Sequence, residues 1–377
     1  MNKINIGILG AGKIGTAIYK LLVASGSGYD VKAFSGKSLQ ITVADKNKLN
    51  NINVCDFQSL AIGEDDEFDK FVKDKTLIIN ALPYHLNFTV YKTCLEHNIP
   101  YFDLSEDDFL DKWIEKKKYI SSTRTGVPFT MPHCGLAPGL STVIANDLMT
   151  EFSAIHNLKI RVGALSQHSS NKLKYHTSWS SDGLVNEYKG NCQVVSGGEY
   201  IEVPALCGHE KLTINGQDYE AFNTSGGIGT FAKTLVEQRK RCVNANYKTI
   251  RRIGHLDYVD FLFNDLDLPD DMLVDIFINH ITQTTKDCVI IFIEIDGINA
   301  ILGRTGQIYT KIFYPDTIQG RTFTAIELTT AVGLVAMVEL FLDKKLPQEG
   351  YVKQESVDLK DVLSTKFGWV YRETPTL

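Results

Sequence analysis

The run Ile4–Gly15, INIGILGAGKIG, decides how the chain begins to fold. Its apolar half, Ile4 to Leu9, has the length and composition of a strand buried on both faces. It stops at Gly10, Gly12 and Gly15. The residues that follow place Ala17, Ile18, Leu21 and Leu22 at helical spacing. A G-x-G-x-x-G cluster between a strand and a helix has a physical reading. Gly10 permits the tight turn, Gly12 lets the backbone approach a pyrophosphate, and Gly15 lets the helix pack closely on the strand. The helix N-terminus adds unpaired N–H groups and the positive end of its dipole. With Lys13 and Ile14 between the glycines, this stretch is the candidate dinucleotide site. The alternative is a turn that holds nothing.

Working outward, Ile41–Asp45, Leu77–Ala81, Tyr101–Leu104 and Pro128–Met131 read as further strands, with a helix around Thr89–His97. Strands alternating with helices predict a doubly wound parallel sheet of the Rossmann kind. Asp45 ends the second strand, where an acid accepts hydrogen bonds from adenosine ribose hydroxyls and repels a 2′-phosphate. That favours NAD over NADP. Its distance from Gly15 exceeds the usual interval of ~20 residues, and Ala24–Gln40, ASGSGYDVKAFSGKSLQ, reads as a loop insertion with an added hairpin. Lys46 and Lys48 blunt the preference for NAD, and an ordinary turn acid is the plain alternative for Asp45. After the Asn80 strand, Ala81, Leu82 and Pro83 should flank the nicotinamide half of the cofactor, because ligands bind outside the carboxyl ends of such strands. Tyr84 should then face the substrate.

From about Val162 the pattern changes. Cys192–Val195, Tyr200–Val203, Val289–Ile295 and Gln307–Phe313 are strand-like runs separated by glycine and polar turns. They predict an α+β substrate and dimerisation domain with a mostly antiparallel sheet. The expected division is 1–135 for the dinucleotide domain, completed by 325–377, and 136–324 for the second domain. Thr324–Leu342 is helical and apolar nearly all round, so it should be buried. Ser178–Gly183 and Asn223–Thr230 are polar and glycine-bearing. The second is either an anion site or a turn with an N-cap.

The formal charge of −6 argues against a nucleic-acid surface. The short basic cluster Arg239–Arg241 reads as a solvated helix face. Seven scattered cysteines without a C-x-x-C pair fit a reducing compartment, and no metal site follows from the histidine and cysteine spacings. Ala331–Leu342 is too short for a membrane span and is interrupted by Glu339. The expectation is a cytoplasmic protein, a homodimer on general frequency, with a small-molecule partner.

In order, the motifs are GILGAGKIG, NALPYHLNFTVYKTCLEHNIPYFDLSED, MPHCGLAPGLS, SWSSDGLVNEY, EAFNTSGGIGTFAKTL and YKTIRRIGH. This series resembles the saccharopine dehydrogenase family, with the lysine 6-dehydrogenase branch the nearest match. The resemblance implies NAD(P)-dependent oxidation at a carbon bearing nitrogen. In the lysine branch, hydride leaves the ε-carbon of the amino acid and the imine hydrolyses with release of ammonia. Saccharopine-processing relatives act on a secondary amine instead, and the wider group includes non-catalytic dinucleotide-binding proteins. In the saccharopine reductase branch the SWS motif is followed by Pro-Arg-Gly, whose arginine suits a substrate carboxylate. Here Ser181-Asp182-Gly183 stands there, which favours a more cationic substrate. Departures from the lysine branch fall at His85, His176 and Asn223.

Oxidation of an ammonium first requires loss of a proton, so a general base is expected. Asp103, at a strand end, is the first candidate, with a turn or cap residue as its alternative. His85 and His176 follow. His133 is placed to sit over the cofactor. Gly135 and Pro138 belong to a turn whose following helix faces the nicotinamide, or simply initiate that helix. Tyr84, Asp182, Asn223, Thr224 and Arg251 are the candidate substrate contacts. Arg251 and Arg252 are the candidate partners of a substrate α-carboxylate, with a solvated or structural arginine as the alternative.

Overall fold

A computed structural model describes residues 3–24, 38–47, 56–63, 66–120, 127–237 and 242–372. Of the expected insertion Ala24–Gln40, residues 25–37 lie outside the described residues, as do Lys48, Cys55 and the basic cluster 239–241, whereas Ser38–Gln40 are strand. Two compact units divide the chain. One comprises Met1–Val143, Ile318–Arg321 and Glu327–Leu377, and the other Ile144–Thr317 and Thr322–Ile326.

The first unit holds six strands: β1 Lys3–Leu9, β2 Ser38–Asp45, β3 Phe57–Ser59, β4 Leu77–Asn80, β5 Tyr101–Asp103 and β6 Thr130–Met131. All pair in parallel in the order β3-β2-β1-β4-β5-β6. The central strands are apolar because both faces are covered: Ile6, Ile8 and Leu9 in β1 and all of Leu77–Asn80 in β4 are buried. Helix α1, Lys13–Ala24, turns Ala17, Ile18, Leu21 and Leu22 inward, on the spacing read from the sequence. Helices α2 Asp66–Lys73, α3 Asn87–Glu96 and α4 Phe109–Ile120 complete the layers. Register brings Leu9 beside Ala44 and Asn80. Gly10, Asp45 and Ala81 therefore emerge side by side at the carboxyl edge of the sheet. Helix α5, Leu140–Leu148, follows β6.

The second unit carries β7 Phe152–Ser166, α6 Ser181–Glu187, β8 Asn191–Ser196, β9 Glu199–Pro204, β10 Glu210–Ile214, β11 Gln217–Phe222, α7 Phe231–Glu237, β12 Cys242–Arg251, α8 His255–Asp260, α9 Asp270–Asp275, β13 Asp287–Asn299 and β14 Gly303–Phe313. The sheet runs β10-β11-β12-β7-β13-β14, with β8 and β9 branching from β12. Its pairings are antiparallel except β12 with β7, so the sheet is mixed. Phe222 anchors a cluster with Tyr188, Leu184, Val259, Phe263 and Leu273 from the helices.

The helix Ala325–Leu342 begins one residue after the expected Thr324 and ends at the expected Leu342. By length and composition it could cross a bilayer, yet 78% of it is buried inside the protein.

Candidate active site

The glycine cluster of the first unit is built as a cradle. Gly10 has a φ of +99°, and a Cβ there would lie 2.6 Å from the Ala81 carbonyl oxygen. A Cβ on Gly15 would lie 2.0 Å from the Gly10 oxygen. These two are fixed by backbone contact. Gly12 differs: a Cβ there would meet nothing within 4 Å. Its openness has no packing explanation, and it is the place where a phosphate group fits against the start of α1. Asp45 accepts a hydrogen bond from the Ala11 N–H at 2.7 Å and from Asn47 N–H at 3.0 Å. It stands at the edge of the cradle where a ribose would lie. Lys13 and Ile14 open α1, both half-buried. The residues present fit a dinucleotide.

Beyond β4, the Ala81 N–H donates to Leu9 and the Leu82 N–H to the Asn80 side chain at 3.2 Å. Ala81 thus serves the cradle by packing on Gly10. Pro83, Tyr84 and His85 are exposed; Tyr84 and His85 begin a short 3-10 turn and meet edge to face.

Asp103 does not present a free carboxylate. It is buried, and it accepts hydrogen bonds from Tyr101 Oη (2.8 Å), Ser105 N–H (3.0 Å) and His133 N–H (2.9 Å). Burial raises its carboxyl despite these donors and the charge of His133. The residue expected as a base is a brace for the loops after β5 and β6. His133 is likewise a structural cation. Its ring contacts the Ser105 carbonyl and lies 2.5 Å from Asp111, which also accepts from Tyr351 Oη. Burial alone would lower the imidazole, but Asp111 overrides it and lifts His133 to about 10. Gly135 and Pro138 are buried in the turn into α5. Gly139, at φ +133°, closes that turn, because a Cβ there would strike the Gly135 oxygen at 2.1 Å.

In the second unit a polar cluster lies inside apolar walls. Arg251 is 2% exposed. Its Nε donates to Tyr188 Oη at 2.7 Å, its Nη1 donates to the Ile250 carbonyl at 3.1 Å, and its guanidinium lies over the rings of Tyr175 and Tyr188. Its Nη2 is 3.6 Å from Glu187 Oε2. That oxygen is buried and has no hydrogen-bond partner among the described residues. Burial raises the Glu187 carboxyl to about 7, against the pull of Arg251. Arg251 is therefore held from inside the protein through Nε and Nη1.

Other expected contacts are scattered in character. His176 is half-buried, with Nδ1 unpartnered among the described residues. Asn223 is buried and donates to Cys207 Sγ at 3.2 Å, leaving its Oδ1 unpartnered among the described residues. Thr224 shares a 2.6 Å hydrogen bond with Thr249. Asp182 is exposed in the first turn of α6, which Ser180 caps through the Gly183 N–H. In the Asn223–Thr230 loop a Cβ on Gly227 would lie 2.1 Å from the Tyr247 ring, so close packing requires that glycine. Among the described residues no group of three metal-ligating side chains could hold an ion.

Glu187, Tyr188 and His255 are the residues the sequence reading passed over. A signal was present: Leu184, Glu187 and Tyr188 share one helical stripe, so Glu187 is an acid on an apolar face.

Two family models match the chain: the saccharopine dehydrogenase NADP binding domain over residues 6–125, and the saccharopine dehydrogenase C-terminal domain over 135–367. Among curated proteins, mitochondrial alpha-aminoadipic semialdehyde synthase of Rattus norvegicus is 24% identical over 204 residues, and that of Mus musculus 25% over 203. Each match spans 52% of this chain and only 21% of the relative, so the matched region is about a fifth of those proteins. Among solved structures, saccharopine dehydrogenase (L-Glu forming) from Saccharomyces cerevisiae superposes with a TM-score of 0.72 at 15% identity, covering 98% of both chains. Homospermidine synthase from Legionella pneumophila, solved with NAD, gives 0.62 at 12% identity, covering 98% of this chain and 89% of that one. At these identities the two structures speak for the fold. The family models, with the glycine cradle, support a nicotinamide dinucleotide cofactor; on their evidence this chain belongs to the saccharopine dehydrogenase family of oxidoreductases.

Proposed function

We propose that the protein oxidises the CH–NH group of an amino acid with NAD, by lysine 6-dehydrogenase-type oxidative deamination. The observation that carries the proposal is Glu187: a largely buried carboxylate, raised to about 7, with a free oxygen beside a fixed cation. A base poised near the working pH is what deprotonation of a substrate ammonium requires.

In this reading the dinucleotide supplies the hydride acceptor. Gly10 and Gly15 hold the turn in shape, Gly12 and the first turn of α1 receive the pyrophosphate, and Asp45 holds the ribose. Asp45 supports NAD, because a 2′-phosphate would face its negative charge. Glu187 takes the proton from the substrate ammonium, leaving the neutral amine whose lone pair assists hydride departure. Asn223 Oδ1 and His176 Nδ1, both lacking partners among the described residues, supply further contacts to the polar substrate. Arg251 stays in place as the counter-charge to Glu187.

The purified protein should reduce NAD in the presence of lysine, with slower reduction from saccharopine and the common α-amino acids. Faster oxidation of saccharopine than of lysine overturns the lysine assignment. It would favour the secondary-amine reaction suggested by the family.

A further inference from the structure

Buried arginine and glutamate side chains ordinarily close into a hydrogen-bonded pair, because each leaves an expensive unpaired charge otherwise. Here they do not. The Arg251–Glu187 separation is 3.6 Å, and Glu187 Oε2 has no hydrogen-bond donor among the described residues. Something holds the guanidinium back.

The restraint can be traced atom by atom. His255 is completely buried, and its Nδ1 lies 2.8 Å from the Leu173 carbonyl, which can only accept. Nδ1 therefore carries the proton. Burial and the nearby Arg251 charge lower the imidazole to about 3, so the ring is neutral and its Nε2 is an acceptor. Tyr188 Oη lies 3.0 Å from that Nε2 and must donate to it. The Tyr188 oxygen then offers its lone pair to Arg251 Nε–H at 2.7 Å. The chain Arg251→Tyr188→His255→Leu173 has one direction throughout. It fixes one side of the guanidinium, while the Ile250 carbonyl takes Nη1. The Tyr175 and Tyr188 rings hold its plane.

We propose that Tyr188 and His255 are positioning residues that hold Arg251 short of a closed ion pair with Glu187. The proposal rests on the reading of Glu187 as the proton acceptor, and it explains how that carboxylate keeps an affinity for protons. A closed pair would hold Glu187 ionised at any physiological pH and make it a poor base. The ionisable groups that interact with Glu187 are Arg251 on β12, Tyr175 before α6, Tyr188 next in sequence, and Cys192 on β8. His255 on α8 meets Tyr188 through a hydrogen bond and Tyr175 ring to ring. Of these only Arg251 carries a charge near neutrality, so its distance is the variable that matters.

Two conservative variants test the inference, Tyr188→Phe and His255→Asn, each checked by circular dichroism and thermal melting. The readout is the Glu187 carboxyl itself, followed through a pH titration by 13C NMR of protein labelled at glutamate and assigned with Glu187→Gln. In the unaltered protein the midpoint should lie near 7. Tyr188→Phe should free Arg251 to close on Glu187 and lower the midpoint by about 1–2 units. His255→Asn should shift it in the same direction by less. An unchanged or raised midpoint in folded Tyr188→Phe overturns the inference, and if that variant does not fold, an unchanged midpoint in His255→Asn does so. The titration needs neither substrate nor cofactor. A full rate in Glu187→Gln, by contrast, would sink the base assignment while leaving the relay intact.

Discussion

Glu187 and Arg251 lie 3.6 Å apart in a nearly dry setting without a hydrogen bond between them. Burial raises the Glu187 carboxyl to about 7 against the pull of Arg251, and this sets the first expectation. If Glu187 accepts the ammonium proton, kcat/KM for oxidation should rise with pH through about 7 and then level off. Glu187→Gln should lower kcat/KM by about 10²–10⁴-fold and abolish that limb, while leaving NAD affinity unchanged. A pH–rate profile with titration calorimetry for NAD checks both.

The glycines of the cradle should respond differently to the same added methyl. In Gly12→Ala the new Cβ meets nothing, so stability should stay within about 0.5 kcal/mol of the parent. The dinucleotide should nevertheless bind about tenfold or more weakly. In Gly15→Ala the Cβ falls 2.0 Å from the Gly10 oxygen, so the β1–α1 packing must shift. That variant should lose about 2 kcal/mol or more of stability. Thermal melts and calorimetric titration separate the two outcomes, and equal destabilisation by both would contradict the cradle geometry.

Asp45 should govern the choice of coenzyme. Asp45→Ser removes the charge that opposes a 2′-phosphate, so the ratio of NADP to NAD affinity should rise by about tenfold or more. Because Asp45 also accepts from the Ala11 N–H, absolute affinity for NAD should fall as well. A parent protein that prefers NADP would contradict the role assigned to Asp45.

His133 makes stability depend on pH in the alkaline direction. Its folded value, about 10, lies above the 6.5 of an ordinary histidine, so the folded state holds its proton more tightly. The stabilisation is complete below about pH 6.5 and is lost as pH rises towards 10. Denaturant midpoints should therefore fall between pH 7 and 10. In His133→Asn that slope should be much reduced, with lower stability at pH 7 by about 2–4 kcal/mol, because buried Asp111 loses its cation and keeps the Tyr351 hydroxyl.

The six-stranded parallel sheet was legible because its evidence is local. Ile4–Leu9, Leu77–Asn80 and Tyr101–Asp103 are short apolar runs whose burial on both faces requires helical crossovers. The glycine pattern named the cradle for a similar reason: turn and helix start are adjacent in the chain. Even there, sequence could not show that Gly12 alone is open while Gly10 and Gly15 are filled by carbonyl oxygens.

The chemistry was less legible. Asp103 looked like a base because it ends a strand, and it proved to be a brace because Tyr101, Ser105 and His133 converge on it. Arg251 looked available until Tyr188 and the Ile250 carbonyl were seen to hold it. Asp182 and Glu187 occupy one short helix, and only packing exposes the first and buries the second. Hydrophobic periodicity and glycine spacing are written into consecutive residues, so the sequence by itself determined the strands and the cradle. A proton affinity is set by the charges and donors that gather around a group from distant parts of the chain. Glu187, Tyr188, Arg251 and His255 come together from α6, β12 and α8, and that gathering was decided only by the tertiary structure.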